Sequence, residues 1–372
     1  MALLASMTLT ANAETLPEVE EVEATQDKAT IEVPAWVKNI KFSGYGMLQY
    51  QGEDTEGAHS NTFNLRLARF ILDGKIGDFD WRAQIQGTNV KGPGEPTVQL
   101  VDLYAEWRKY PEFKIRAGQF KRAFTFENPT NPITQGWYSY AMVVNNLSAF
   151  GDRTGEKSSG GRDVGIQFSG DLFPNANGRR VFHYQIGVYN GEGVNTKDYD
   201  NRKDIIGGIW VMPIKGLRIG AFGWTGSRGQ MLDPLTNKTR SVEKNRYAIS
   251  AEYDLNGYTF RAEYLHSQGW GSSSPGNNVR EIDYTKGDKA DGWYVFGIVP
   301  LVKGKLFAKA RYQCYRNQKE WGTSVNQVEC GLNYNFTKNL EIHAEYSHVN
   351  DRNLADGKHN YNLVDVELDF RF

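Results

Sequence analysis

The sequence lacks long hydrophobic runs, has few cysteines and carries almost no net charge. Past the first few residues, no apolar run in the 372-residue chain approaches the roughly 18 to 20 residues that a membrane-spanning helix needs. A helical membrane protein is therefore excluded. A formal net charge of −1 gives no reason to expect nucleic acid as a partner. Two cysteines, Cys314 and Cys330, suggest neither a disulfide framework nor a metal site, and the sequence leaves open whether they pair.

The sequence also lacks the residue spacings that carry catalysis or hold metals. His343 and Glu345 share a polar strand face, as do Arg261 and Glu263, but no serine nucleophile motif or histidine-rich metal spacing accompanies them. The acidic residues of the polar connections do not follow the pattern of a calcium-binding loop. We therefore predict no active site, no cofactor and no metal.

The N-terminus reads as a processing segment followed by a polar tail. Residues 1–13, "MALLASMTLTANA", are apolar and small and end on Ala11-Asn12-Ala13, which fits the cleavage pattern of a secretory signal. The basic residues that open a signal peptide are absent, so we expect residues 1–13 to be its remnant; a disordered apolar N-terminus is the alternative. Residues 14–37 are rich in acidic residues and are predicted to be a solvated periplasmic tail.

What the sequence has instead is aromatics, glycine and alternation. Aromatics make up 13% of the chain and glycine contributes 39 residues, a composition that favours strands and turns. Its last ten residues, "LVDVELDFRF", alternate apolar and charged side chains to the final aromatic, a period of two that predicts a strand. About 16 such segments follow Lys38, near 38–51, 63–75, 79–90, 97–110, 113–123, 162–173, 181–190, 202–213, 216–226, 244–255, 258–268, 292–300, 303–316, 324–336, 339–350 and 361–372.

The connections between these segments alternate between short and long. Tight turns are predicted at Gly77-Asp78, 110–112, 213–215, Asn256-Gly257 and Thr337-Lys338. Between them lie the longer polar links 52–62, 191–201, 227–243, 269–291 and 351–360. A meander that crosses a slab produces this order, because every second connection emerges on the same side, whereas a Greek-key sandwich does not.

One strand face is apolar along most segments, and no helices are predicted to cover it. In "VQLVDLYAEWRKY", Val101, Leu103, Ala105 and Trp107 alternate with polar or charged residues. Apolar faces on so many strands, with nothing to bury them, indicate contact with lipid. The alternation breaks near Arg69 in strand 63–75, so the sequence does not assign a facing there. The prediction is an all-β transmembrane barrel over residues 38–372, with short periplasmic turns and long outer loops.

Several stretches resemble the phosphate-selective porin O/P family of outer-membrane channels. They are "FKIRAGQFKRAFTFENPTNP" (113–132), "RDVGIQFSGDLF" (162–173), "YQIGVYNGEG" (184–193), "DGWYVFGIVPLVKGKLFAKARYQ" (291–313) and the terminal "DFRF". Ala123 departs from the family, which usually has a proline after the Gly-Gln-Phe-Lys run. The resemblance implies an outer-membrane porin in contact with lipid, for which we expect a homotrimer, and a final strand that pairs with the first.

The longest link, 124–161, falls between the fifth and sixth strands and is predicted to be the third outer loop. At this length a connection without a role is uncommon, and in porins of this size the third loop folds into the lumen. We predict that it forms the constriction, with Asp152, Arg153, Glu156 and Lys157 as its candidate charges; a surface lid is the alternative.

Charged residues on the polar strand faces are the candidate pore lining. The basic candidates are Arg82, Arg108, Lys114, Arg116, Arg122, Arg218, Arg261, Lys309 and Arg311, and acidic residues on the same faces include Asp80, Asp102, Glu106, Glu263 and Glu329. Rings of basic side chains favour anions, but such a mixture also fits a lumen laced with salt bridges. We predict passive diffusion of small hydrophilic solutes and ions with at most a weak anion preference. A receptor or adhesin scaffold and a barrel hydrolase are the alternatives, and phosphate selectivity is suggested by the family name alone.

Overall fold

The computed structural model describes residues 39–55, 59–88, 98–148, 151–156, 160–273, 280–355 and 357–372. The predicted signal remnant, the acidic tail and Lys157 lie outside the described residues. No helix among the described residues has the length and apolarity that crossing a membrane requires.

Strands dominate the described residues, and they lie close to the predicted segments. Their bounds are β1 Lys41–Glu53, β2 Ser60–Ile76, β3 Phe79–Gly87, β4 Val98–Tyr110, β5 Phe113–Lys121, β6 Arg162–Pro174, β7 Arg180–Tyr189, β8 Asp204–Val211, β9 Leu217–Thr225, β10 Ser227–Asp233, β11 Lys238–Glu243, β12 Asn245–Leu255, β13 Tyr258–Gln268, β14 Gly271–Ser273, β15 Glu281–Asp283, β16 Lys289–Val302, β17 Leu306–Arg316, β18 Ser324–Thr337, β19 Leu340–Asp351 and β20 Asn360–Arg371. One α-helix, α1, spans Met142–Ser148.

Sixteen of these strands close into one antiparallel barrel, which confirms the predicted fold. The barrel contains every strand except β10, β11, β14 and β15. Its strands follow one another in chain order, and β20 pairs with β1 to close it. Connections at one end are short, such as Asn256-Gly257, where both residues have positive φ (58° and 86°) as a tight hairpin turn requires. By the rule for outer-membrane barrels, this end faces the periplasm and the long loops face outward.

The closing seam explains the alternating C-terminus. Phe370 lies opposite Gly46 in the β1–β20 register. A Cβ atom on Gly46 would lie 2.3 Å from Cζ of Phe370, and one on Gly44 would lie 2.4 Å from Cζ of Phe372. Glycine in β1 therefore leaves the space that the terminal aromatic rings fill. This cross-strand packing holds the last strand in place.

The barrel exterior is apolar and its interior is charged. Leu103, Ile249 and Val328 are 53%, 57% and 54% exposed, whereas Arg311 and Glu329 are 2% and 1% exposed. Val101 departs from the prediction that places it on the apolar phase. It is fully buried, because the register between β3 and β4 shifts beside it and a bulge interrupts the alternation.

Strand β2, whose facing the sequence leaves open, also contains a bulge. The β1–β2 register skips Arg66, which has no partner opposite Met47 or Leu48. The skipped residue changes the phase of the strand, so that Leu65 and Phe70 are both exposed while Arg69 is buried. A strict period of two therefore could not assign this strand.

Two links predicted to be polar loops contain strands of their own. Strands β10, β11, β14 and β15 come from links 227–243 and 269–291 and form a four-stranded sheet separate from the barrel, which we call the outer sheet. Met231, Val242 and Ile282 form its small core, with Trp270 and Tyr284 packed against it. The sequence did not predict these strands, because short strands with one or two apolar residues each leave little periodic signal.

Candidate functional site

The connection between β5 and β6, residues 122–161, is called loop 3 here; its described residues, 122–148, 151–156 and 160–161, lie inside the barrel. Its aromatic residues pack on the inner wall in edge-to-face contacts. Phe124 lies 5.5 Å from the ring of Trp224, Phe126 lies 5.4 Å from Phe222, and Trp137 lies 5.8 Å from Phe296. The largest apolar cluster of the described residues includes all of these residues. Burial of this much aromatic surface stabilises the loop in the lumen.

Wall side chains also hold the backbone of loop 3 by hydrogen bonds. Glu263 Oε1 accepts a bond from the amide of Phe126 at 2.6 Å, and Glu345 Oε1 accepts one from Tyr138 at 2.9 Å. Lys309 Nζ donates to the carbonyl of Gly136 at 2.7 Å. These wall residues belong to β13, β17 and β19, so several strands fix the path of one loop.

Loop 3 also reaches the seam where the barrel closes. Arg371 of β20 donates to the carbonyl of Ile133 at 2.6 Å. The side chain of Ile133 joins an apolar cluster with Tyr45, Met47, Leu67 and Ile71 of β1 and β2. The loop therefore contacts opposite regions of the wall rather than one side of it.

Two cavities border loop 3 and share no lining residue. Toward the outer loops, a cavity of about 570 Å³ is lined by Met142, Asn146 and Arg153 together with residues of β14, β18 and the later outer loops. Toward the short turns, a cavity of about 300 Å³ is lined by Thr125, Phe126 and Pro129 and by residues of β4 to β9. The loop thus lies between an outer and a periplasmic vestibule.

The predicted basic residues near the short turns are all paired with carboxylates. The pairs are Arg82–Asp73, Arg108–Asp80 and Lys114–Asp171, each at 2.7 Å, and Arg116–Glu106 at 2.9 Å. Arg108, Lys114, Arg116 and Arg218 line the periplasmic cavity, and Glu106 is the one acidic residue beside them in its lining. Asp102 lies elsewhere, bonded to Arg162 at 2.7 Å.

The other predicted pore residues lie buried in networks with loop 3. Arg311 pairs with Glu329, and its Nη1 donates to the carbonyl of Ser139 at 3.0 Å. Lys309 pairs with Glu345. Arg122 lies 2.5 Å from Glu156, and its guanidinium stacks 4.5 Å from the centre of the Trp224 ring. The side chains of these six charged residues are at most 1% exposed, so they bind the loop to the wall.

The candidate charges of loop 3 are also buried. Asp152 accepts from both terminal nitrogens of Arg246, at 2.5 and 3.0 Å, and this guanidinium holds the pKa of the Asp152 carboxyl well below its usual range despite burial. Glu156 pairs with Lys244 at 2.9 Å as well as with Arg122. Arg153 donates to backbone carbonyls.

Burial has the opposite effect on Glu127, which lies in loop 3 and is fully enclosed. Its Oε2 accepts a hydrogen bond from the amide of Ala141 at 3.0 Å, and Arg261 lies 3.8 Å from Oε1. Burial raises the pKa of Glu127 to about 7, aided by Glu263 and opposed by Arg261 and Arg311.

Sequence reasoning did not single out Arg162, Lys244 and Arg246. Arg246 could have been found, because it shares the inward phase of β12 with Ala248, Ser250 and Glu252. Lys244 and Arg162 stand at the ends of strands, where alternation gives no facing. Their roles depend on the path of loop 3, which strand periodicity does not describe.

The two cysteines form no disulfide, and three carboxylates cluster in the connection between β7 and β8. Cys314 and Cys330 are both free thiols, the first buried and the second exposed. Carboxylates of Glu192, Asp198 and Asp200 lie within 4.8 Å of one another. Arg228 pairs with Glu192, and Lys203 pairs with Asp198.

Two family models match consecutive parts of the chain. The model described as phosphate-selective porin O and P matches residues 43–203, and the model described as Gram-negative porin matches residues 216–354. The first match confirms the resemblance noted in the sequence. A search of curated proteins finds no significant match.

Solved porin structures share the fold at low sequence identity. An anion-selective porin from Comamonas acidovorans superposes with a TM-score of 0.63 at 13% identity, covering 90% of this chain and 99% of that one. OmpF of Salmonella typhi in complex with daunomycin gives 0.65 at 14% identity, covering 90% and 98%. In-vitro folded OmpT of Vibrio cholerae in its trimer form gives 0.57 at 12%, covering 90% and 100%. At these identities the likeness supports the fold alone.

Proposed function

This chain is an outer-membrane porin, a multi-pass β-barrel channel, and we propose that it conducts small hydrophilic solutes and ions passively through a constriction formed by loop 3. The observation that carries the proposal is that wall residues of β13, β17, β19 and β20 bond to the backbone of the loop, between two vestibules. A lid over the barrel mouth would not make these contacts. A lumen of 16 strands is otherwise wide enough for water, so a loop across it narrows the path.

The test is to remove the middle of loop 3 and measure conductance in planar bilayers. Residues 134–148 are replaced by a short Gly-Ser linker, which leaves Asp152, Arg153 and Glu156 in place. We expect a severalfold rise in single-channel conductance and passage of larger solutes. The control shortens the β10–β11 hairpin of the outer sheet by replacing residues 233–237 with Asn-Gly. Equal conductance for both variants and the intact protein would withdraw the constriction role.

We further propose a weak preference for anions. The cations that line the periplasmic cavity outnumber its single acid, which favours anions. Each of them nevertheless has a carboxylate within 2.9 Å, which leaves little uncompensated charge. The porin from Comamonas acidovorans is named anion-selective. A reversal potential near that of an ideally anion-selective membrane, measured in a salt gradient, would contradict this balance.

A homotrimer is part of the same proposal. The structure of OmpT from Vibrio cholerae is described as a trimer form, and its chain is covered fully by this one. Light scattering of the detergent-solubilised protein tests the proposal, and a mass equal to one chain would overturn it. The absence of enzymatic activity stays a prediction. His343, the histidine considered for catalysis in the sequence, contacts Glu341 and Asp369 at 3.0 and 3.4 Å. Assays with ester and peptide substrates would test the prediction.

A further inference from the structure

Arg153 lies near the C-terminal end of loop 3, and its contacts differ from those of every other charged residue named above. Among the described residues, its side chain forms no ion pair with a carboxylate. Nη1 donates to the carbonyl of Gly269 at 2.7 Å, and Nη2 lies 2.7 Å from the carbonyl of Lys286, 3.0 Å from that of Gly287 and 3.2 Å from that of Asn317. One guanidinium therefore joins loop 3 to two outer loops.

The backbone of Arg153 makes a second link to the outer sheet. The amide of Ser272 in β14 donates to the carbonyl of Arg153 at 2.7 Å. Gly155, two residues later, has a φ of 69°, and a Cβ atom there would lie 2.5 Å from Oγ of Ser272. The positive φ favours glycine at this position, and the space beside it is taken by the Ser272 side chain. Side chain and backbone together fix this part of loop 3 to the outer sheet.

These contacts indicate that Arg153 does not act as a charge on permeating ions. Although Arg153 borders the outer cavity, it is only 4% exposed, and four carbonyl oxygens surround its terminal nitrogens. A planar guanidinium can direct several N–H groups to acceptors in different directions, which an ammonium group cannot do with the same geometry. The arrangement suits a tie between loops, not a field across a pore.

We propose that Arg153 is a positioning residue that couples the outer sheet and the outer connection between β17 and β18 (317–323) to loop 3, so that these outer elements hold the constriction in place. The proposal rests on the constriction role proposed above. It assigns to Arg153 a mechanical function in conduction, and it replaces the selectivity charge that the sequence suggests at this position.

Two substitutions distinguish a role of Arg153 in holding the loops together from a role as a charge in the pore. Arg153→Lys keeps the positive charge but loses the forked set of donors, and Arg153→Gln loses both. Single-channel recordings give current noise and the voltage at which the channel closes, and a salt gradient gives the reversal potential. Cleavage of loop 3 by chymotrypsin, which recognises its aromatic residues, reports how often the loop leaves the wall.

If Arg153 is a tie, both variants give noisier currents, closure at lower voltage and about tenfold faster cleavage of loop 3, because several hydrogen bonds are lost. The reversal potential stays that of the parent in both. Arg116→Gln is the matched control, since Arg116 lines the periplasmic cavity; it is expected to shift the reversal potential without changing noise or cleavage.

Two results would overturn the proposal. One is a reversal potential shifted by Arg153→Gln and retained by Arg153→Lys, with noise and cleavage unchanged, which is the pattern of a pore charge. The other is parental behaviour of both variants in all readouts. Failure of the constriction role is recognised separately: the loop deletion would leave conductance unchanged, while the Arg153 variants would still accelerate cleavage. Unchanged heat-modifiability on gels verifies that each variant barrel is folded.

Discussion

Loop 3 and the outer sheet are both built from connections that the sequence identifies as long, yet they fold in opposite ways. Loop 3 buries Phe124, Phe126 and Trp137 against the barrel wall. The outer sheet buries Met231 and Ile282 within itself. The first depends on the barrel for its core, and the second has a small core of its own. Aromatic side chains are large enough to reach a wall across a wide lumen, whereas short alternating strands satisfy one another.

The comparison predicts that truncating a core side chain of loop 3 alters conductance far more than truncating a core side chain of the outer sheet. Trp137→Ala in loop 3 removes a ring that is 1% exposed and is expected to destabilise the inserted loop by about 3–5 kcal/mol, because a large cavity remains. Single-channel conductance becomes heterogeneous and chymotrypsin cleaves loop 3 much faster. Met231→Ala is the matched change in the outer sheet and is expected to disturb conductance much less, because the outer sheet acts on loop 3 indirectly, through the contacts of Arg153. If Met231→Ala disturbed conductance as much as Trp137→Ala, the two regions would not be independent cores.

From the buried carboxyl of Glu127 we predict that the stability of inserted loop 3 depends on pH. Its pKa is raised to about 7, so insertion of the loop favours the protonated acid. The contribution to loop stability is full below about pH 4.5 and is lost as pH rises through 7, amounting to at most about 3 kcal/mol. We expect slower cleavage of loop 3 and quieter currents at pH 5 than at pH 8.

Glu127→Gln supplies the control for this dependence. Glutamine is neutral at both pH values and can accept the same hydrogen bond from Ala141, so the difference between pH 5 and pH 8 is expected to shrink. Arg261 keeps its contact with Glu252 in this variant. An undiminished pH effect in Glu127→Gln would assign the dependence to other groups.

A smaller effect is expected from one hydroxyl of loop 3. The hydroxyl of Tyr140 donates to the carbonyl of Thr130 at 2.5 Å and accepts from Lys121 Nζ at 2.9 Å. Tyr140→Phe removes both bonds but keeps the ring, and Lys121 retains the carbonyls of Asn128 and Thr130 as acceptors. We expect a loss of about 1 kcal/mol in loop stability, seen as a few-fold increase in cleavage rate. A larger loss than that of Trp137→Ala would show that polar contacts dominate.

The smallest effect belongs to the tip of the outer sheet. Leu235 is 77% exposed in the turn between β10 and β11. Leu235→Asp is expected to change stability by less than about 0.5 kcal/mol and to leave conductance unchanged. Heat-modifiability and single-channel recordings check this. A clear change in conductance would mean that the tip communicates with the constriction, as Arg153 is proposed to do.

The strands, their order and their inward and outward faces follow from the sequence, because alternation with a period of two is a local property that repeats in every strand. The exceptions are instructive. Arg66 and Val101 lie at bulges, where one extra residue reverses the phase. The pattern of apolar residues does not predict a bulge, because a bulge arises from the pairing of a strand with its neighbour.

The sequence by itself determined that the chain closes into a barrel with a charged interior, since alternating strands and tight turns leave no other way to bury the apolar face or pair the last strand. Tertiary structure alone decided what the interior charges do. Arg122, Lys309, Arg311 and Asp152 share the composition of a pore lining, but the path of loop 3 turns them into buried ion pairs. The periodicity of a strand predicts which face a side chain lies on. Whether that side chain then contacts water or protein depends on the path of the folded loop.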